Sequence, residues 1–174
     1  RSGGKFDLPA GAWTDDTAMS LCLAQSLITK EGFDAKDLLE RFSKWLEFGE
    51  NTSTGISVGV GQNTLRTLGD FRRNGTLVAE KIGSKNDGNG SLMGLSAAGL
   101  YAKNWLEYAR NLASLQSRTT HASDIADECC QFLADLICRL CQGQEYAAAK
   151  QFSMNHDWSY PLQSILETAY ADSL

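Results

Sequence analysis

Apolar residues recur at helical spacing along almost the whole chain, and runs alternating Val, Ile, Thr and Tyr with polar residues are nearly absent. Proline is scarce, at Pro9 and Pro161 only. This combination predicts an all-α protein. At 174 residues one domain is expected, and 43% hydrophobic with 21% charged residues is enough to fill its core. We therefore expect a single-domain multi-helix bundle over residues 1–174, with the chemistry-bearing loops at helix starts.

The spacing predicts a first helix over 14–29, with Met19, Leu23 and Leu27 or Ile28 inward, and a second over 34–48, with Leu38, Phe42, Trp45 and Leu46 inward. A Gly/Ser/Thr-rich loop follows at 49–61, then a helix over 62–74 closed by Gly75. A second loop, KIGSKNDGNGS at 81–91, leads to a helix over 92–101, and another helix is expected near 104–114. The longest is expected over 123–142. Its wide apolar face (Ile125, Cys129, Phe132 or Leu133, Leu136 and Leu140) suggests burial on more than one side. Helices near 144–152 and 161–174 close the chain.

A net charge of −5 disfavours nucleic acid and an anionic membrane surface as partners. Five cysteines, an odd number set in apolar helical runs, look like reduced core thiols and point to a cytoplasmic setting. Cys130, Cys138 and Cys141 share one side of a helix, where packing is favoured over soft-metal binding.

The first helix opens with W-T-D-D-T, Trp13 to Thr17. Thr14 is a good N-cap, and one first-turn carboxylate suits the helix dipole. Two are harder to explain. Adjacent residues point about 100° apart, so both cannot serve one donor, and like charges repel unless a cation lies near. Thr14, Asp15 and Asp16 form a hard-oxygen cluster suited to Mg²⁺ or Mn²⁺, without the His or Cys that Zn²⁺ prefers. The residues alone leave the cap and the metal site both open.

Three further segments carry candidates. Gly88, Asn89, Gly90 and Ser91 could offer backbone amides to an anion, or could form a plain Asn-Gly turn. GENTSTG, 49–55, could bend round a ligand or simply join two helices. His121 could make local capping bonds with Thr119 and Thr120 at a helix opening, whereas His156 reads as a surface loop residue.

PAGAWTDDTAMSLCLAQSLI closely resembles the opening signature of the ADP-ribosylglycohydrolase family. WLEFGENTSTGISVGVGQNT, GNGSLMGLSAAGL and SRTTHASDIADECC resemble three further family segments, in the same order. The resemblance implies an orthogonal all-α bundle with two Mg²⁺ ions (Mn²⁺ possible) at the mouth of a cleft. It implies hydrolysis of the N- or O-glycosidic bond to ADP-ribose, in an ADP-ribosylated protein or a small ADP-ribosyl conjugate. A monomer is expected. Thr14, Asp15 and Asp16 match the family's N-terminal metal ligands, with Asp15 and Asp16 also catalytic. Gly88, Asn89, Gly90, Ser91, Met93 and His121 match its ligand-binding positions.

Gly94 departs from the pattern, because the family usually has Arg after the Met. Two family segments, an N-terminal Gly-Asp-Ala-x-Gly turn and a C-terminal Asp-x-Asp-Thr, do not occur, and the only late acids are Glu167 and Asp172. A domain incomplete at both ends is the expectation. The alternative is a catalytically inactive, ADP-ribose-binding or structural relative.

Overall fold

The helical periodicity is realised in nine helices among the described residues: α1 (Asp15–Lys30), α2 (Ala35–Phe48), α3 (Gln62–Asn74), α4 (Gly90–Met93), α5 (Ser96–Tyr101), α6 (Leu106–Thr120), α7 (Asp124–Cys141), α8 (Tyr146–Met154) and α9 (Tyr160–Ala171). The structure is a computed structural model and describes residues 2–81 and 87–171. Parts of two predicted elements, residues 82–86 of the second loop and 172–174 of the last helix, lie outside the described residues. The β-pairing found among those described is one isolated bridge, Gly3 to Leu8.

Local chemistry sets the helix ends. Asp34 caps α2, its Oδ1 accepting from the Asp37 amide at 2.9 Å. Ser123 caps α7, its Oγ accepting from the Ala126 amide at 3.2 Å. Gly49 and Gly75 close α2 and α3 in left-handed turns. Thr14 holds the N-cap position of α1, but its side chain makes no capping bond.

The inward faces meet in a main core, where Met19, Leu23 and Leu27 of α1 pack with Leu38, Phe42 and Trp45 of α2. Each such buried side chain contributes about 1.5–3 kcal/mol. Leu27, not Ile28, faces inward, since Ile28 is 71% exposed. Helix α7 is buried on two sides. Cys130, Ala134 and Cys138 join the main core, while Phe132 joins a second cluster with Trp158, Leu162 and Leu166. Leu140, expected inward, is exposed near the end of α7. Cys130 and Cys138 are buried and Cys141 exposed, so the three thiols are packed differently and all five are free. No helix among the described residues is long and apolar enough to cross a membrane.

Two helices depart from expectation. The helix expected over 92–101 is split into α4 and α5 at Gly94 and Leu95. Leu95 is buried there, and Gly94 lies against α1: a Cβ on it would be 3.7 Å from Met19 Cβ and 3.8 Å from the Ser20 amide. The helix expected to end at 114 runs on to Thr120. Thr119 Oγ1 donates to the Gln116 carbonyl at 2.6 Å, which satisfies inside the helix a hydroxyl that would otherwise favour a turn. His121 thus ends α6; it does not open α7.

The GENTSTG loop is a brace. Asn51 and Gln25 pair amide to amide, both bonds at 3.1 Å. Trp13 Nε1 donates to the Asn51 carbonyl at 2.9 Å, and the Trp13 amide donates to Ser53 Oγ at 2.9 Å. Thr52 Oγ1 donates to the Gly49 carbonyl at 2.6 Å and accepts from the Gly55 amide at 3.0 Å. These groups hold the loop to itself and to the start of α1.

Candidate active site

The first turns of α1 and α3, the Gly88–Gly90 turn and the end of α6 surround a cleft of about 390 Å³, a size in the range of small-molecule sites. Asp15 and Met19, one helical turn apart, present one face of α1 to it. Asn63 and Thr64 come from α3. Gly88, Asn89, Gly90, Met93 and His121 complete the opposite side. Four segments spread from Asp15 to His121 in sequence therefore converge on one space. No residue of GENTSTG lines it, which supports the helix-connection reading of that loop.

Of the three expected metal ligands, Asp15 lines the cleft. Thr14 and Asp16, its neighbours in the turn, are half-buried and lie outside the lining. Burial, and then the charge of Asp15, push the Asp16 carboxyl above its ordinary value of 3.8. Among the described residues no ion pair joins either carboxylate to a cationic side chain. Nor does any group of three or more His, Cys, Asp or Glu side chains gather as a metal centre among them. The donor set of this chain is two carboxylates and the Thr14 hydroxyl. Mg²⁺ accepts such a set, because it holds one or two carboxylates and keeps several waters.

The glycines of the GNG turn have a steric role. A Cβ on Gly88 would lie 3.2 Å from His121 Nε2, and one on Gly90 would lie 3.1 Å from His121 Cε1. The imidazole therefore packs against the turn where side chains are missing. Its Nδ1 pairs with Thr120 Oγ1 at 2.8 Å. Burial, and then the Arg66 charge, lower the His121 pKa below 6.5, so the ring is neutral at pH 7. The expected helix-start anion site is much reduced, since α4 is only four residues long.

Ser91 differs from the other expected ligand-binding positions. Its hydroxyl is buried, accepts from Ser117 Oγ at 2.9 Å and lies 3.5 Å from Cys130 Sγ. Gln116 Nε2 donates to its carbonyl at 3.0 Å. Ser91 ties α4 to α6 and α7, and it does not line the cleft. His156, outside the cleft, packs edge-on to Trp158 with ring centres 4.3 Å apart.

Sequence reasoning missed Gly59, Gln62, Asn63, Thr64 and Asp87, all of which line the cleft. A glycine before a polar Q-N-T at a helix start was the available signal for three of them. Asn63 is oriented by its own helix: its Oδ1 accepts from Arg66 Nη2 at 3.0 Å, which directs Nδ2 toward Gly88. Asp87 accepts from Ser123 Oγ and so ties the GNG turn to the cap of α7.

Residues 2–172 match the ADP-ribosylglycohydrolase family. The chain is 34% identical over 132 residues to an ADP-ribosylarginine hydrolase, Tri1, of Pseudomonas putida, covering 76% of this chain and 36% of that protein. It is 29% identical to the protein of the same name from Serratia proteamaculans, covering 96% and 45%. It is 31% identical to the ADP-ribosyl-[dinitrogen reductase] glycohydrolase of Rhodospirillum rubrum, covering 86% and 48%. The chain thus spans about a third to a half of the length of these relatives.

Proposed function

Because this chain belongs to the ADP-ribosylglycohydrolase family, we propose that its cleft binds an ADP-ribosyl group and serves Mg²⁺-dependent hydrolysis of the glycosidic bond that holds it. The observation that carries the reading is the convergence of Asp15, the Gly88–Gly90 turn and His121 on one cleft. The substrate class is an ADP-ribosylated protein or a small ADP-ribosyl conjugate, with ADP-ribosylarginine the first to try because of the named relatives.

In this reading Thr14, Asp15 and Asp16 would hold the cation, and Mg²⁺ bound there would supply positive charge for ribose hydroxyls and for charge developing on oxygen. Water adds to the anomeric carbon as the bond to the leaving nitrogen or oxygen breaks. A carboxylate of the Asp15–Asp16 pair accepts one proton of the water, whose oxygen bonds to the anomeric carbon, and the same proton then passes to the leaving nitrogen or oxygen, which restores the carboxylate. The neutral His121, held at Nδ1 by Thr120, and the Asn63 amide line the part assigned to the rest of the ligand. A neutral ring there suits hydrogen bonding without a titrating charge near pH 7.

The test is release of free ADP-ribose from an ADP-ribosylarginine conjugate with Mg²⁺, followed chromatographically. Asp15→Asn should lower the rate about 100-fold or more. Equal release by the two proteins would sink the reading. One observation favours a second reading, a non-catalytic ADP-ribose binder: no third acid joins the pair among the described residues. Calorimetric binding of ADP-ribose that ignores chelator, with no turnover, would establish that alternative.

A further inference from the structure

Gly59 carries no side chain, yet it stands directly against the acidic turn. Its φ is +88°, in the left-handed region. A methyl group built on it would overlap Asp15 Oδ1 and lie 2.9 Å from Asp15 Cγ. Both residues line the cleft. The Asp15 carboxylate thus occupies the room that a side chain at 59 would fill. Of the two, the carboxylate is the part that can turn, because it ends a side chain with two torsions. The loop backbone is held on either side: Ser57 Oγ donates to the Leu46 carbonyl at 2.9 Å, and α3 begins at Gln62. Gly55, in the same loop, provides the contrast. Its φ is +81°, but nothing lies within 4 Å of a Cβ built there.

We infer that Gly59 is a positioning residue for Asp15: the missing side chain at 59 sets the direction in which the Asp15 carboxylate faces the cleft, and thereby the affinity of the Asp15–Asp16 pair for a divalent cation. The inference rests on the reading of that pair as cation ligands. An alanine at 59 turns the carboxylate out of its place beside Thr14 and Asp16. Residues that orient metal ligands without touching the metal typically change affinity about 10- to 100-fold.

The experiment measures Mn²⁺ binding to the chain by electron paramagnetic resonance, in the wild type, Gly59→Ala, Gly55→Ala and Asp15→Asn. Both glycine variants carry a side chain at positive φ, so a loss due to backbone strain alone appears in both. Gly59→Ala should weaken Mn²⁺ binding about tenfold or more, while Gly55→Ala stays within about twofold. A melting-temperature cycle covers the case of a poorly folding variant, because Asp15→Ala should reduce the loss caused by Gly59→Ala by removing the overlapped group. Equal Mn²⁺ affinities for the two glycine variants, or no coupling between positions 15 and 59, overturn the inference and leave the cation reading standing. A wild type that binds no Mn²⁺ overturns the cation reading and the affinity claim together.

Discussion

Two acidic centres of this molecule, Asp135 and the Asp15–Asp16 pair, are built on opposite terms. Asp135, in the middle of α7, is fully buried and surrounded by donors. Arg110 Nε at 2.7 Å, Arg139 Nε at 2.6 Å and Ser153 Oγ at 2.6 Å all donate to it. Burial alone would raise its pKa, but the bonds from Ser153, Arg139 and Arg110 outweigh that and hold it below 3.8. Asp16 is less buried, has Asp15 as its charged neighbour, and shifts the other way. A carboxylate given every partner joins α6, α7 and α8. Asp15 and Asp16 stand side by side, and among the described residues no cationic side chain pairs with either.

The comparison breaks first at Asp135. Asp135→Ala leaves Arg110 buried without its main partner and should cost about 3–5 kcal/mol in urea unfolding. A loss below 1 kcal/mol would mean the network is ornamental. The pH dependence tests the same contrast. The folded pKa of Asp135 is lowered, so its stabilisation is complete above the unfolded value near 3.8 and disappears as the pH falls through the folded one. That of Asp16 is raised, so its contribution is complete below 3.8 and disappears as the pH rises through the folded value. His121, lowered from 6.5, loses its contribution as the pH falls below that value. Urea midpoints for Asp135→Asn and Asp16→Asn, measured from pH 3 to 7, should therefore both part from wild type as the pH rises, Asp135→Asn falling below it and Asp16→Asn rising above it.

A smaller effect is expected at the brace. Trp13→Phe removes the bond to the Asn51 carbonyl and should cost about 1 kcal/mol. An unchanged unfolding midpoint would show that the acidic turn does not depend on that loop. The smallest effect is the most pointed. Asp16→Asn, in chelator at pH 7, should raise the melting temperature by about 1–2 °C, because it removes a partly buried charge and then its repulsion from Asp15. A fall would mean that Asp16 already has compensation within the chain.

Much of the fold was legible because helices depend on local spacing. Helix α3 and its Gly75 stop follow directly from the pattern. The errors lie where tertiary contact overrides propensity. Thr119 and Thr120 look like a loop, yet both are buried and extend α6. Residues 92–101 look like one helix, yet they are interrupted at Gly94 and the buried Leu95, beside α1. In the site, Asp15 was conspicuous as one of two adjacent acids at a helix start, and His121 as one of two histidines. Gly59 and Asn63 were not, since their roles depend on which side chain lies opposite.

By itself the sequence determined an all-α chain, most of its helices and its family, because periodicity and ordered motifs are local properties. The tertiary structure alone decided that Ser91 is buried between helices, that the GNG glycines make room for His121, and that Gly59 stands against the Asp15 carboxylate. Those are matters of a few ångströms between distant segments, and short-range spacing carries no record of them.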